Sequence, residues 1–153
     1  MKMLRVLGHE VEIQNYIDNT GVQVADVVAA FHYLEKKTPA QVQLLVDSPT
    51  VQFDYYCWDL YAKISQLFKE DKTTLKWRSE TLQMIEMGKG PQAEIGSIVS
   101  DAIVNKHLIT MGRIGIEYDV LPRESEILHL QFWASAFELL KRKKVVYFET
   151  RGK

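Results

Sequence analysis

From Val22 onward, apolar residues recur at three- and four-residue steps between short polar breaks. Val24, Val27, Val28, Phe31 and Leu34 form the first such stripe, and it predicts a helix over Val22–Lys37. Thr38-Pro39-Ala40-Gln41 follows. Thr38 can cap, Pro39 suits the first helical position and Gln41 completes a capping box, so a short helix is expected to about Val46, stopped by Ser48-Pro49. Phe53, Tyr56, Cys57, Leu60, Ile64, Leu67 and Phe68 share one face of a longer helix, Phe53–Lys69. A helix over Thr74–Met87 should end at the breaker Gly88-Lys89-Gly90-Pro91, and another over Gln92–Met111 should turn Ile95, Ile98, Val99, Ala102 and Ile109 inward. Three consecutive helices with short joints predict an antiparallel bundle.

The flanks have a different period. Glu10–Ile17 and Ile116–Leu121 alternate apolar with polar residues, and Val145–Glu149 is a short apolar run. All three read as strands, the second stopped by Pro122. Met1–Leu7 reads as the end of a helix with Gly8 as its stop. Glu124–Lys143 is predicted helical, with Ile127, Leu130, Trp133, Phe137 and Leu140 on one stripe. Lys141–Lys144 place positive charge at its C-terminal end, where the helix dipole favours it. The order strand, helix, bundle, strand, helix, strand predicts one α/β domain over 1–153, mostly helical overall, with a helical insertion at 38–114. The loop Asp18–Gly21 joins the first strand to a helix start, where backbone N–H groups are free to meet a ligand.

Composition narrows the picture. The chain has 153 residues, 46% hydrophobic and 25% charged, which suits a folded domain and excludes general disorder. Nineteen Lys and Arg against twenty Asp and Glu leave a net charge of -1, so no overall positive field exists to hold nucleic acid without specific contacts. Charges interrupt every long apolar stretch and the start lacks a signal-peptide core, which makes a cytoplasmic location the default and a membrane partner unexpected. The lone Cys57 sits on an apolar helix face and reads as a core residue. Tyr55, Tyr56, Trp58 and Tyr61 crowd the same helix, and packing is the commoner use of such residues than base stacking. His9, His32, His107 and His129 lie on separate elements without ligand spacing, so no metal site is expected. There is no GxGxxG, P-loop or HExxH pattern.

Two segments are more specific: Gln14-Asn15-Tyr16-Ile17-Asp18-Asn19-Thr20-Gly21-Val22-Gln23-Val24, and Ile116-Glu117-Tyr118-Asp119-Val120-Leu121-Pro122-Arg123-Glu124-Ser125-Glu126-Ile127-Leu128. Together they resemble the catalytic core of arginyl-tRNA synthetase, a class I aminoacyl-tRNA synthetase. Asn15, Tyr16, Gly21 and Gln23 match the family's Asn-[aromatic/His]-x-x-Asp-x-Gly-x-Gln pattern. Tyr118, Asp119, Glu124 and Ser125 match its Tyr/Phe-Asp-x-x-x-x-Glu-Ser pattern. The likeness covers nearly the whole chain in order. One departure is local: Asn19 stands where the family usually has Asp.

The resemblance implies a partial Rossmann-like catalytic domain carrying a helical insertion. It makes Asn15, Gly21, Gln23, Tyr118, Asp119, Glu124 and Ser125 candidates for a substrate or nucleotide pocket. It further implies ATP, Mg²⁺, arginine and the arginine tRNA as cofactors and partners of the complete ligase. The family's His-Ile-Gly-His-type signature, its Lys-Met-Ser-Lys-Ser-type loop and its arginine-recognising Tyr-x-x-x-Asp segment are all missing from these residues. The chain alone is therefore expected to be an inactive internal fragment with no catalytic residue of its own, binding tRNA weakly or not at all. It is also expected to self-associate through open strand edges. The alternative is a free-standing interaction or tRNA-binding module derived from the synthetase fold. On the residues alone, Gly21 and Gln23 also fit a plain turn into a helix, and Glu124 and Ser125 a helix cap.

Overall fold

A computed structural model describes residues 2–129 and 132–147. The described residues are mostly helical. Helix α1 spans Lys2–Val6, α2 Val22–Ala29, α3 Pro39–Asp47, α4 Phe53–Glu70, α5 Leu75–Met87, α6 Gly90–Arg113, α7 Glu124–His129 and α8 Phe132–Arg142. A π-helical stretch, Ala30–Leu34, extends α2, and a 3-10 turn, Lys72–Thr74, leads into α5.

The local signals act as the sequence implies. Thr38 accepts from the Gln41 amide while the Gln41 side chain accepts from the Thr38 amide, closing the capping box of α3. Helix α5 ends at Gly88, whose φ of 64° is left-handed and is strained for a residue with a Cβ. Along α4, Phe53, Cys57, Leu60, Ile64 and Phe68 are buried.

Helix α2 lies at the centre, packed against α4, α5 and α6. Its Ala25 and Val28, and Phe31 of the π-helical stretch that extends it, are fully buried beside Phe53, Ile64, Ile85, Ile95 and Val99. Phe31 stacks on both Phe53 and Tyr56, with centroids 6.1 and 5.9 Å away. Gly96 lets α6 approach α5 closely: a Cβ there would sit 3.3 Å from the Ile85 side chain. One charge is buried within this apolar centre. Asp26 of α2 is 1% exposed and receives two hydrogen bonds from Arg78 of α5, at 2.6 and 2.7 Å. The Arg78 guanidinium also lies 4.8 Å from the Phe68 ring centroid.

Several expectations are corrected. The stripe on α2 fails at its end, because the π-helical stretch turns Leu34 outward to 38% exposure. Ile109 is 63% exposed, not inward, since α6 runs on past the helices that cover its first half. The helix expected over Glu124–Lys143 is not among these: Glu124–His129 and Phe132–Arg142 are helical, and Leu130 and Gln131 between them lie outside the described residues.

The predicted strands do not form as strands among the described residues. Val145, Val146 and Tyr147 have no strand pairing, and Phe148 and Glu149 lie outside the described residues. The other two segments do meet, as isolated parallel bridges at Gln14–Val120 and Ile17–Arg123 in one register. Asn15 donates to the Val120 carbonyl, Ile17 to the Pro122 carbonyl, and Glu124 to the Ile17 carbonyl. A continuous parallel ladder needs one further bond, from the amide of residue 122 to the Asn15 carbonyl. Residue 122 is proline and has no N–H. The period-two reading survives in burial, which alternates residue by residue from Val11 to Asp18.

Candidate functional site

The two extended segments run parallel, and each leads directly into a helix, α2 or α7. The loop Asp18–Gly21 and the start of α7 therefore come together at the same end of the pair. Side chains lock them. The Asn19 amide nitrogen donates to Ser125 Oγ at 2.8 Å, while Asn19 Oδ1 accepts from the Ser125 backbone N–H at 3.0 Å. Beside it, the Thr20 hydroxyl donates to Glu124 Oε2 at 2.6 Å. Asn19 and Thr20 are buried, so these bonds satisfy groups that would otherwise be orphaned. Asn19 also serves as a cap supplied from outside the helix, because the first-turn amides of α7 have no partner within it. Ser125 is thus capped rather than capping. An aspartate at position 19 could accept from that amide but could not donate to the hydroxyl.

Two clefts flank this clamp. The larger, about 720 Å³, lies between the 15–23 segment and helices α4 and α6. Asn15, Asp18 and Gln23 line one wall, and Asp54, Trp58 and Tyr61 the other, with Val99 and Ile103 of α6 below and His107 at the end. No lysine or arginine is among its lining residues. The smaller cleft, about 570 Å³, lies between the α5–α6 turn and the start of α7, where Arg123 and Ser125 line it opposite Ser97 and Ser100. Arg123 is paired with Asp101 of α6.

The residues singled out from sequence are thus distributed. Asn15, Tyr16 and Gln23 line the larger cleft and Ser125 the smaller. Glu124 holds Thr20 in the clamp. Partial desolvation, and then the negative charge of Glu124, push the Tyr16 phenol up from its ordinary value, so it stays neutral. Gly21 caps α2 with its backbone, and a Cβ there would sit 2.9 Å from an Asp18 carboxylate oxygen. Asp119 is apart from both clefts: its carboxylate accepts from the Ile13 amide at 2.8 Å and from Arg5 at 3.2 Å. Tyr118 is half-buried and lines neither cleft. Cys57 lies in the floor of the larger cleft, where burial pushes its thiol up to about 12. It stays protonated at neutral pH and is a poor nucleophile. No group of three His, Cys, Asp or Glu side chains able to hold a metal comes together among the described residues. No helix among them is long and apolar enough to cross a membrane.

Sequence reasoning did not select Asn19 and Thr20 as site residues, nor Trp58, Tyr61 and His107 as cleft walls. The only forward signal at position 19 was its departure from the acidic residue usual in the family.

Two helices thus leave one end of a parallel pair beside an open cleft. No protein-family model matches the chain, but curated aminoacyl-tRNA synthetases do. Over 99% of its length the chain is 29% identical to the arginine–tRNA ligases of Thermococcus kodakarensis and Pyrococcus abyssi, covering 24% of each. It is likewise 29% identical, over 99% of its length, to the arginine–tRNA ligase of Deinococcus radiodurans, covering 22%. The resemblance first carried by two motifs therefore extends from end to end. The chain spans about a quarter of the length of these relatives.

Proposed function

We propose that the chain works as part of the catalytic region of an arginine–tRNA ligase, which attaches arginine to its tRNA at the expense of ATP. The observation that carries this reading is the likeness to such ligases over 99% of the chain. The geometry supports it in one respect: a parallel pair feeding two helices is a fragment of α/β architecture. On this reading the pair belongs to a Rossmann-like core, residues 38–114 are an insertion into it, and the protein acts in the cytoplasm.

In the same reading, Asn15, Gly21 and Gln23 face an adenylate pocket, and Tyr118, Asp119, Glu124 and Ser125 lie beside the active site or the tRNA acceptor end. The cleft that contains Asn15 and Gln23 does not itself fit a triphosphate. Its charged lining is Asp18 and Asp54, with no lysine or arginine to balance anionic phosphates. ATP and Mg²⁺ are therefore assigned to ligase residues other than these, and these side chains bind and orient instead.

The test is a chimera in which this chain replaces the matching segment of the Thermococcus kodakarensis ligase. Arginine-dependent ATP–pyrophosphate exchange above the blank is expected. A chimera that folds, by circular dichroism and gel filtration, yet shows no exchange would overturn the reading. The isolated chain is expected to bind tRNA weakly and with steep salt dependence, because its basic residues are scattered and its net charge is -1. An anisotropy titration at physiological salt checks this. Tight binding selective for arginine tRNA would favour a free-standing tRNA-binding module instead.

A further inference from the structure

The two clefts have separate linings except at two residues, Asn19 and Ser100. These form the wall between them. Ser100 is fixed: its hydroxyl donates to the Gly96 carbonyl at 2.8 Å and the Ser97 carbonyl at 3.1 Å, inside its own helix. It makes no hydrogen bond to Asn19. Asn19 has its amide nitrogen and its side-chain oxygen both committed to Ser125. The movable half of the wall is therefore held from one side only, by one residue at the first turn of a six-residue helix.

We propose that the two clefts are halves of one trough and that Asn19 is the gate between them, latched by Ser125. With the latch made, the trough is divided. When Asn19 leaves Ser125, its side chain can turn into either cleft, and the space on both sides of Ser100 becomes continuous. Two neutral hydrogen bonds are weak enough to open without unfolding the domain, while the backbone bonds at Ile17 and Glu124 hold the base of the loop in place. An elongated ligand could then occupy both halves at once. Its own donors and acceptors would replace those that Ser125 loses. The gate follows from the geometry of the wall and does not rest on the ligase reading.

The test uses the whole chain and NMR relaxation dispersion. Gly96 lines only the smaller cleft and Val104 only the larger. If one gate serves both, their amides should show microsecond-to-millisecond exchange with a single shared rate. Oxidising the double variant Asn19→Cys/Ser125→Cys to a disulfide should abolish that exchange at both positions, and reduction should restore motion. Asn19→Ala should raise the hydrogen-exchange rate of the Ser125 amide by about tenfold or more, through loss of its acceptor, and leave the buried Ile64 amide unchanged. Unequal rates at Gly96 and Val104, or exchange that persists in the oxidised variant, would overturn the proposal. So would a wild-type Ser125 amide that exchanges only on global unfolding, in step with Ile64; this measurement stands even if a variant fails to fold.

Discussion

Arg78→Ala is expected to lower stability by about 3–5 kcal/mol in urea denaturation, because it leaves a buried carboxylate without its partner. The Asp26 side chain is 2% exposed, whereas that of Arg78 is 32% exposed. The two partners are therefore not equivalent. Without Arg78, Asp26 sits on the central helix among Ala25, Val27 and Val28, where burial leaves its charge poorly solvated. Without Asp26, the guanidinium can still reach solvent and keep its contact with Phe68. Asp26→Ala is accordingly expected to cost less, about 1–3 kcal/mol. Arg78→Lys should fall between the wild type and Arg78→Ala, because an ammonium keeps the charge but not the two-pronged geometry. If Asp26→Ala proves the more damaging change, the burial cost lies with the guanidinium and this account of the pair is wrong.

The isolated chain is expected to give no arginine-dependent ATP–pyrophosphate exchange, even with arginine tRNA present. Adenylation depends on positioning and on stabilising charge at the phosphates, effects that together amount to many orders of magnitude in rate. The 153 residues carry neither of the family's phosphate-holding signatures. The larger cleft adds no compensating cation, since Asp18 and Asp54 are its acidic members and no lysine or arginine lines it. Exchange above an enzyme-free blank, in protein freed of host synthetase, would sink this expectation. It would also require a new source of positive charge in the structure.

The helices were legible wherever a local rule decides them. The capping box at Thr38, the breaker at Gly88 and the stripe of α4 all act within a few residues of where they are written, and the buried, inert Cys57 follows from its place on that stripe. The end of α2 was not legible. Glu35 donates its amide to the Ala30 carbonyl, and this wider turn rotates later side chains away from the stripe that Phe31 ends. Glu35 comes to lie instead beside Tyr56, whose phenol donates to both its carboxylate oxygens at 2.7 and 2.8 Å. Burial first, and then that carboxylate, push the Tyr56 phenol up to about 12.

The candidate site was half legible. Alternation marked both extended segments, and the two motifs marked the residues on them. Neither could reveal that Asn19 and Thr20 would meet Ser125 and Glu124, because those pairs are separated by 106 and 104 residues. The cleft walls were hidden for the same reason. Trp58 and Tyr61 look like bundle-packing residues on the chain, yet Trp58 is 68% exposed at the cleft.

Pro122 has a mechanical consequence. With the central bond of the ladder missing, the 119–124 segment is attached to the 13–17 segment at two places along a single line. A body fastened at two points cannot slide along the line joining them, but it can still rotate about it. Register is therefore secure, while the tilt of everything carried beyond residue 124 depends on fixings that lie off that axis. The described structure provides three. Arg123 reaches sideways to Asp101, Asn19 reaches across to Ser125, and Thr20 to Glu124. All involve side chains, so the angle at which α7 leaves the pair is set by three removable pegs and not by the ladder.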